Sequence, residues 1–116
     1  MKTVIIKYNA GNIRSVQFAL ERLGVTGSVT DDHEEIMAAD AALFVTPEYN
    51  RSVPGCLKNA IDVGSRPGGQ SVWSGKPSAV ISNTPYTLGG FGANHHLRQC
   101  FVFLDMPVMQ QPEAYI

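Results

Sequence analysis

Several diagnostic features are scarce in this chain. Its 116 residues include only two cysteines and one tryptophan. Cys56 and Cys100 each lie in an apolar, helix-like context. That is no disulfide framework, and the expectation is two reduced core side chains. Charge of one sign is missing too. Nine basic and ten acidic residues leave a formal net charge of −1. No face carries a basic run, which argues against nucleic acid as a main partner. No apolar run is long enough to cross a bilayer, and no signal-peptide pattern opens the chain. A cytoplasmic protein without a membrane partner is expected. Repeats, low-complexity segments and long linkers are absent, and the length suits one domain with a real core.

What is present is an alternation of strand and helix signals. Thr3 to Lys7 is a β-branched run of the kind that forms a buried parallel strand. Asn9, Gly11 and Asn12 break it. Ile13, Val16, Leu20 and Leu23 then recur at helical spacing, and Gly24 closes the helix. Gly27 to Thr30 reads as a second strand. Asp31 or Asp32 can cap a short helix that has Glu34 and Glu35 in its first turn. Ala41 to Val45 is the third strand. Ser52 is expected to cap the next helix, with Pro54 in its first turn. Pro77 to Ser82 is the fourth strand, Ala93 to Leu104 a further helix, and Pro107 to Met109 the start of a fifth strand.

Crossovers of this length join parallel strands. The expected fold class is α/β: a flavodoxin-like, doubly wound, five-stranded parallel sheet of order 2-1-3-4-5, with helices on both faces. The helix that usually follows the fifth strand has no counterpart here. An open sheet face, and a homo-oligomer covering it, are therefore expected. In such sheets ligands bind where strand carboxyl ends meet loops. The most specific loop is the one in Phe44 to Ala60, FVTPEYNRSVPGCLKNA.

Two resemblances carry the functional reading. From Ala41 on, TPEYNRSVPGCLKNAID, GQSVWSGKPSAVIS and GGFGANHHLRQCFVFLDMPVMQQPEAY resemble the NADPH-dependent FMN reductases, the flavodoxin-like group that includes chromate and quinone reductases. From Val4 to about Phe44, VIIKYNAGNIRSVQFALERLG and TDDHEEIMAAD resemble the start of the glutamine amidotransferase subunit of imidazole glycerol phosphate synthase. That family's cysteine elbow and oxyanion loop do not follow, so glutamine hydrolysis is not implied. The chain thus reads as one domain of two flavodoxin-like halves, 1–40 and 41–116. It is either a joined chimera or a natural truncated relative.

The reductase resemblance implies FMN as cofactor, NADPH as reductant, and a quinone, dye or metal oxyanion as acceptor. It places Pro47, Glu48, Tyr49 and Asn50 at the flavin ring, with Ser52 at the following helix start. Asn83, Thr84, Tyr86 and Gly89 would lie along the ring from the loop after the fourth strand, where Pro85 and Tyr86 are bulkier than the family's usual wording. The FMN phosphate falls to the loop after the first strand. Here that loop is YNAGNIRS, which offers Asn9, Asn12, Arg14 and Ser15 at a helix N-terminus. No residue is assigned a catalytic or metal-binding role. Hydride transfer to flavin needs no protein acid or base. The neighbours His95 and His96 point about 100° apart on a helix, a poor arrangement for one metal ion. Other readings are a folded scaffold without catalysis, and phosphate or nucleotide binding at the first loop without flavin.

Overall fold

The computed structural model describes residues 2–116. Two compact units divide the chain, Met1–Ala39 and Asp40–Ile116.

The first unit contains strand β1 (Thr3–Ile6), helix α1 (Ile13–Arg22), strand β2 (Gly27–Thr30) and helix α2 (His33–Met37). β1 and β2 pair in parallel from Thr3↔Gly27 to Ile6↔Thr30, and Lys7 N–H extends the ladder to Thr30 O at 2.8 Å. Gly27 admits the crossover: a Cβ there would lie 3.1 Å from Leu20 and 3.2 Å from Ile5. Asn12 caps α1 by accepting the Ser15 amide at 3.1 Å. At the other end Gly24 takes φ +73°, its N–H bonds Glu21 O, and Val25 N–H bonds Leu20 O. This is the two-bond glycine stop that the sequence predicts. Asp32 caps α2, accepting Glu35 N–H at 2.9 Å. The apolar stripe of α1 is less covered than its spacing suggests. No residue of that helix is buried, and Leu23 beyond it is 77% exposed.

The second unit contains strand β3 (Ala42–Pro47), helix α3 (Gly55–Gly64), strand β4 (Ser78–Asn83), helix α4 (Phe91–Phe103) and strand β5 (Ala114–Tyr115). β4 is central, parallel to β3 from Ala42↔Ser78 to Pro47↔Asn83 and to β5 at Ile81↔Ala114 and Ser82↔Tyr115. Phe44, Thr46, Ser78, Val80 and Ser82 are buried. Against them lie Phe101, its ring 4.6 Å from that of Phe44, and Trp73 at 5.7 Å. Trp73 is fixed by donating Nε1–H to Ile61 O at 2.8 Å.

Three expectations need correction. The five strands do not form one hydrogen-bonded sheet; the ladders join β1 to β2 and β3 to β4 and β5. Apolar patterning fixes which faces are buried but not which edges pair, so the five-strand order overreached the signal. Second, Leu43 and Val45 of β3 are both 62% exposed. Within this unit the helices expected on both faces are not found, while an open sheet face is what the sequence reading expected. Third, the fifth strand does not start at Pro107–Met109. Val108 makes only an isolated bridge to Ser78, and regular pairing resumes at Ala114–Tyr115. Pro107 and Pro112 have no N–H to donate to a ladder, which breaks the strand into two short stretches.

Candidate functional site

The carboxyl ends of β3 and β4 lie side by side, with Pro47 opposite Asn83. Beyond Pro47 the chain makes a tight reversal. Tyr49 N–H donates to Ser52 O and Ser52 N–H to Tyr49 O, both at 3.0 Å. The two residues between them have positive φ, +49° at Asn50 and +64° at Arg51. Paired positive φ is the signature of a two-residue type I′ turn. Asn tolerates that conformation, whereas an arginine in it is uncommon.

The turn rests on the start of α4. The Glu48 side chain is only 5% exposed. Its Oε2 accepts Ala93 N–H at 3.2 Å, and Arg51 Nη1 lies 3.5 Å from Oε1. Ser52 Oγ and His96 Nδ1 are 2.8 Å apart. After β4, Thr84 N–H donates to Ile116 O at 2.9 Å and Tyr86 N–H lies 3.5 Å from Thr84 Oγ1. An open recess of about 220 Å³ results, lined by Glu48, Asn50, Arg51, Thr84 and Tyr86. Tyr49 and Tyr86 are 59% and 72% exposed, so both rings remain available as flat surfaces.

The sequence-predicted residues divide into three groups. Pro47, Tyr49, Asn50, Asn83, Thr84 and Tyr86 gather at the ends of β3 and β4. Glu48, Ser52 and Gly89 reach the same region with their polar or close contacts used inside the protein. Ser52 does not cap α3; the cap position is Pro54, and the Ser52 hydroxyl is spent on His96. Gly89, at φ +54°, is there for close packing, since a Cβ would lie 2.6 Å from Tyr115 Cβ. Asn9, Asn12, Arg14 and Ser15 belong to the first unit, around the start of α1. Asn9 has φ +60° and Asn12 serves as the helix cap, while Arg14 and Ser15 are exposed.

Sequence reasoning missed Arg51, although Asn-Arg between Tyr49 and Ser52 is the centre of the turn. It also missed a cluster beside β5. Phe91 stacks on His95 with ring centroids 4.1 Å apart, and His95 Nε2 is 3.0 Å from Tyr115 Oη. Burial, then hydrogen bonding to Glu113, raises the Tyr115 phenol above its ordinary value. His95 and His96 therefore serve different partners, as their positions on the helix require. Arg98 is structural: Nε donates to Asn94 Oδ1 at 2.9 Å and Nη1 to Met109 O at 3.1 Å. Neither cysteine is buried core. Both are free thiols, Cys56 exposed in the first turn of α3 and Cys100 half-buried. Among the described residues, no helix is long and apolar enough to cross a membrane.

Known proteins resemble this chain in sequence and fold. A quinone reductase of Pseudomonas putida is 75% identical over 83 residues, 72% of this chain and 45% of the relative. A 2-hydroxy-1,4-benzoquinone reductase of a Burkholderia species is 54% identical over the same shares. The chain thus spans about half the length of the curated relatives it matches. The NAD(P)H:(acceptor) flavoenzyme FerB of Paracoccus denitrificans aligns with all of this chain and 79% of its own, with TM-score 0.79 and 33% identity. The α/β flavodoxin-like class is the fold of these relatives. The family model for NADPH-dependent FMN reductase matches residues 9–116, and the chain belongs to that family.

Proposed function

We propose that the chain is an FMN-binding oxidoreductase that uses NAD(P)H to reduce a small-molecule acceptor, with quinones the leading class. The observation that carries this reading is the recess at the paired ends of β3 and β4, inside the family match. When bound, FMN supplies the hydride-accepting ring. The protein's part is to bind and orient it.

The recess fits a ring edge. At about 220 Å³ it is smaller than the roughly 300–1,000 Å³ of a pocket that encloses a whole ligand. Its walls supply what a flat heteroaromatic edge requires. Tyr86 offers an aromatic face in the lining, Tyr49 an exposed ring outside it, and the Asn50 amide with nearby backbone groups offers hydrogen bonds. Pro47 and Asn83 mark where the two strands end beneath it. Arg51 brings a guanidinium to the rim. Glu48, Ser52 and Gly89 hold the loops in shape and leave ring contact to their neighbours.

The first unit, taken by itself, offers anion-binding groups of the kind a phosphate needs. Arg14 and the Ser15 hydroxyl are exposed in the first turn of a ten-residue helix. Asn12 is engaged as the cap. Each charge-assisted contact missing from such a set weakens binding by about 1.5–3 kcal/mol.

Titration of FMN against the protein tests the proposal. We expect quenching of flavin fluorescence, weaker by about tenfold in Asn50→Ala, and NADPH oxidation when a quinone is added. Colourless protein that leaves FMN fluorescence unchanged would contradict it. A second reading is a non-catalytic scaffold joining an amidotransferase-like half to a reductase-like half. One observation favours it: the two compact units meet at Ala39 and Asp40, where the two sequence resemblances meet. The family match, which begins at residue 9 and crosses that point, weighs for the reductase reading on both sides of it. Self-association through the open Leu43 and Val45 face belongs to the same proposal, as does a cytoplasmic setting for two free thiols. Light scattering is expected to report an oligomer, and a clean monomer would remove that part.

A further inference from the structure

We infer that Glu48 is a positioning residue: it locks the turn at 48–52 onto the first turn of α4, so that both loops lining the recess are set by one helix start. The inference rests on the reading that this recess takes the ring edge of FMN.

A carboxylate in a surface turn normally faces water, yet the Glu48 side chain is 5% exposed. Burial of a charge is costly unless hydrogen bonds offset it. Here the offset comes from the backbone of α4. Gly90, the residue at the N-cap position, makes no side-chain cap bond. Glu48 Oε2 accepts Ala93 N–H at 3.2 Å, so a residue 45 positions earlier satisfies one of the helix's free donors. The positive end of a helix favours that negative charge.

Two further contacts lie along the same stretch of α4. A Cβ at Gly92 would run into Arg51 O and come within 2.9 Å of Glu48 Oε2. Only a residue without a side chain lets the turn sit this close. One helical turn on, His96 Nδ1 meets Ser52 Oγ at 2.8 Å. Gly92, Ala93 and His96 thus hold Arg51, Glu48 and Ser52 in order. The loop at 83–90 ends at the same place. Gly89 is packed on Tyr115, and Gly90 on Ser82, where an added Cβ would be 2.9 Å from Ser82 Cβ. Glu48 is the polar member of this assembly whose loss leaves a buried amide without its partner. It also keeps Arg51 beside the recess, through the 3.5 Å contact with Nη1.

The test uses the whole chain with Glu48→Ala and Glu48→Gln, which retains one acceptor oxygen. Without ligand, amide exchange is read at Tyr49 and Ser52, whose N–H groups bond each other's carbonyls and not Glu48. Glu48→Ala is expected to speed exchange about tenfold or more at Tyr49, Ser52 and Ala93 together, with Glu48→Gln between it and wild type. Titrated with FMN, Glu48→Ala is expected to bind about tenfold or more weakly, and Glu48→Gln to recover much of that loss. Faster exchange at Ala93 alone, with Tyr49 and Ser52 unchanged, would reduce Glu48 to a local cap and overturn the inference. Undiminished FMN affinity in Glu48→Ala would overturn it as well. If Glu48→Ala does not fold, Glu48→Gln decides: faster exchange at Tyr49 and Ser52 than at Val80 sustains the inference, and an equal change at all three overturns it. Wild-type protein that fails to bind FMN would instead sink the functional reading, with the ligand-free exchange still deciding the role of Glu48.

Discussion

In the first unit only Ile5 and Thr30 are buried among the described residues, whereas the second closes Phe44, Ile61, Trp73, Val80, Leu97 and Phe101 into a core. Both units use strand, helix and parallel strand. They differ in what lies behind the loops at their strand ends. The loop after β1 leads into a helix with no buried residue. The loops after β3 and β4 stand on a packed sheet and on α4, whose Leu97 and Phe101 are fully enclosed. A ligand site needs a base that does not move when it is loaded. By that measure the second unit is the built part of the molecule, and the ring-edge proposal depends on it.

The largest effect that would sharpen this contrast is at the core. Phe101→Ala is expected to cost about 3–5 kcal/mol in urea unfolding. Val16→Ala, at a position 42% exposed, is expected to cost less than about 1 kcal/mol. Similar losses at both positions would break the comparison. A glycine pair comes next. Alanine usually stabilises a helix relative to glycine, but Gly92→Ala should destabilise by about 1–3 kcal/mol, because the added methyl meets the Arg51 carbonyl. Gly24→Ala has open space around it and is expected to cost about 1 kcal/mol, through its positive φ alone. Only the first should weaken FMN binding. Asn12→Ala, which removes the α1 cap, is expected to lower stability by about 1 kcal/mol, read by thermal unfolding.

The smallest effects are in pH dependence, and they separate the units by sign. Hydrogen bonding to Lys2, then to Thr30, lowers the Glu35 carboxyl below its ordinary value. Its stabilisation is present above the ordinary glutamate range and is lost as pH falls through the lowered value. Lys2→Ala should flatten that acid limb in the first unit. The Tyr115 phenol is raised, chiefly by burial, so the fold favours its neutral form. That contribution is present below the ordinary tyrosine value of 10.0 and is lost as pH rises through the raised one. Tyr115→Phe should flatten this alkaline limb in the second unit. Unfolding midpoints measured across pH would check both.

Local chemistry was legible from the sequence, and edges and long-range partners were not. Gly24 announces its helix stop, and Asp32 with Glu34 and Glu35 announces a helix start, because the groups they satisfy are a few residues away. The strand runs at Thr3 and Ala41 are recognisable for the same reason. Ser52 looks like a cap because serine before proline and a helix is a common start; its actual partner, His96, is 44 residues distant. Glu48 was assigned to the ligand because its motif borders the ring in the resembling family. Nothing near it in sequence reveals that Ala93 N–H takes its carboxylate. The fifth strand slipped because Val108 is apolar enough to pair but stands between prolines. Leu43 and Val45 are apolar yet exposed, since residue type alone does not say whether a partner exists.

The most direct test of where the ring edge goes is nuclear magnetic resonance mapping of amide shifts as FMN is added to isotope-labelled protein. The largest changes are expected at Glu48, Tyr49, Asn50 and Arg51 and at Thr84 and Tyr86, with the amides of α3 beyond its first turn nearly still. Shifts absent from those residues while FMN binds elsewhere on the chain would contradict the account.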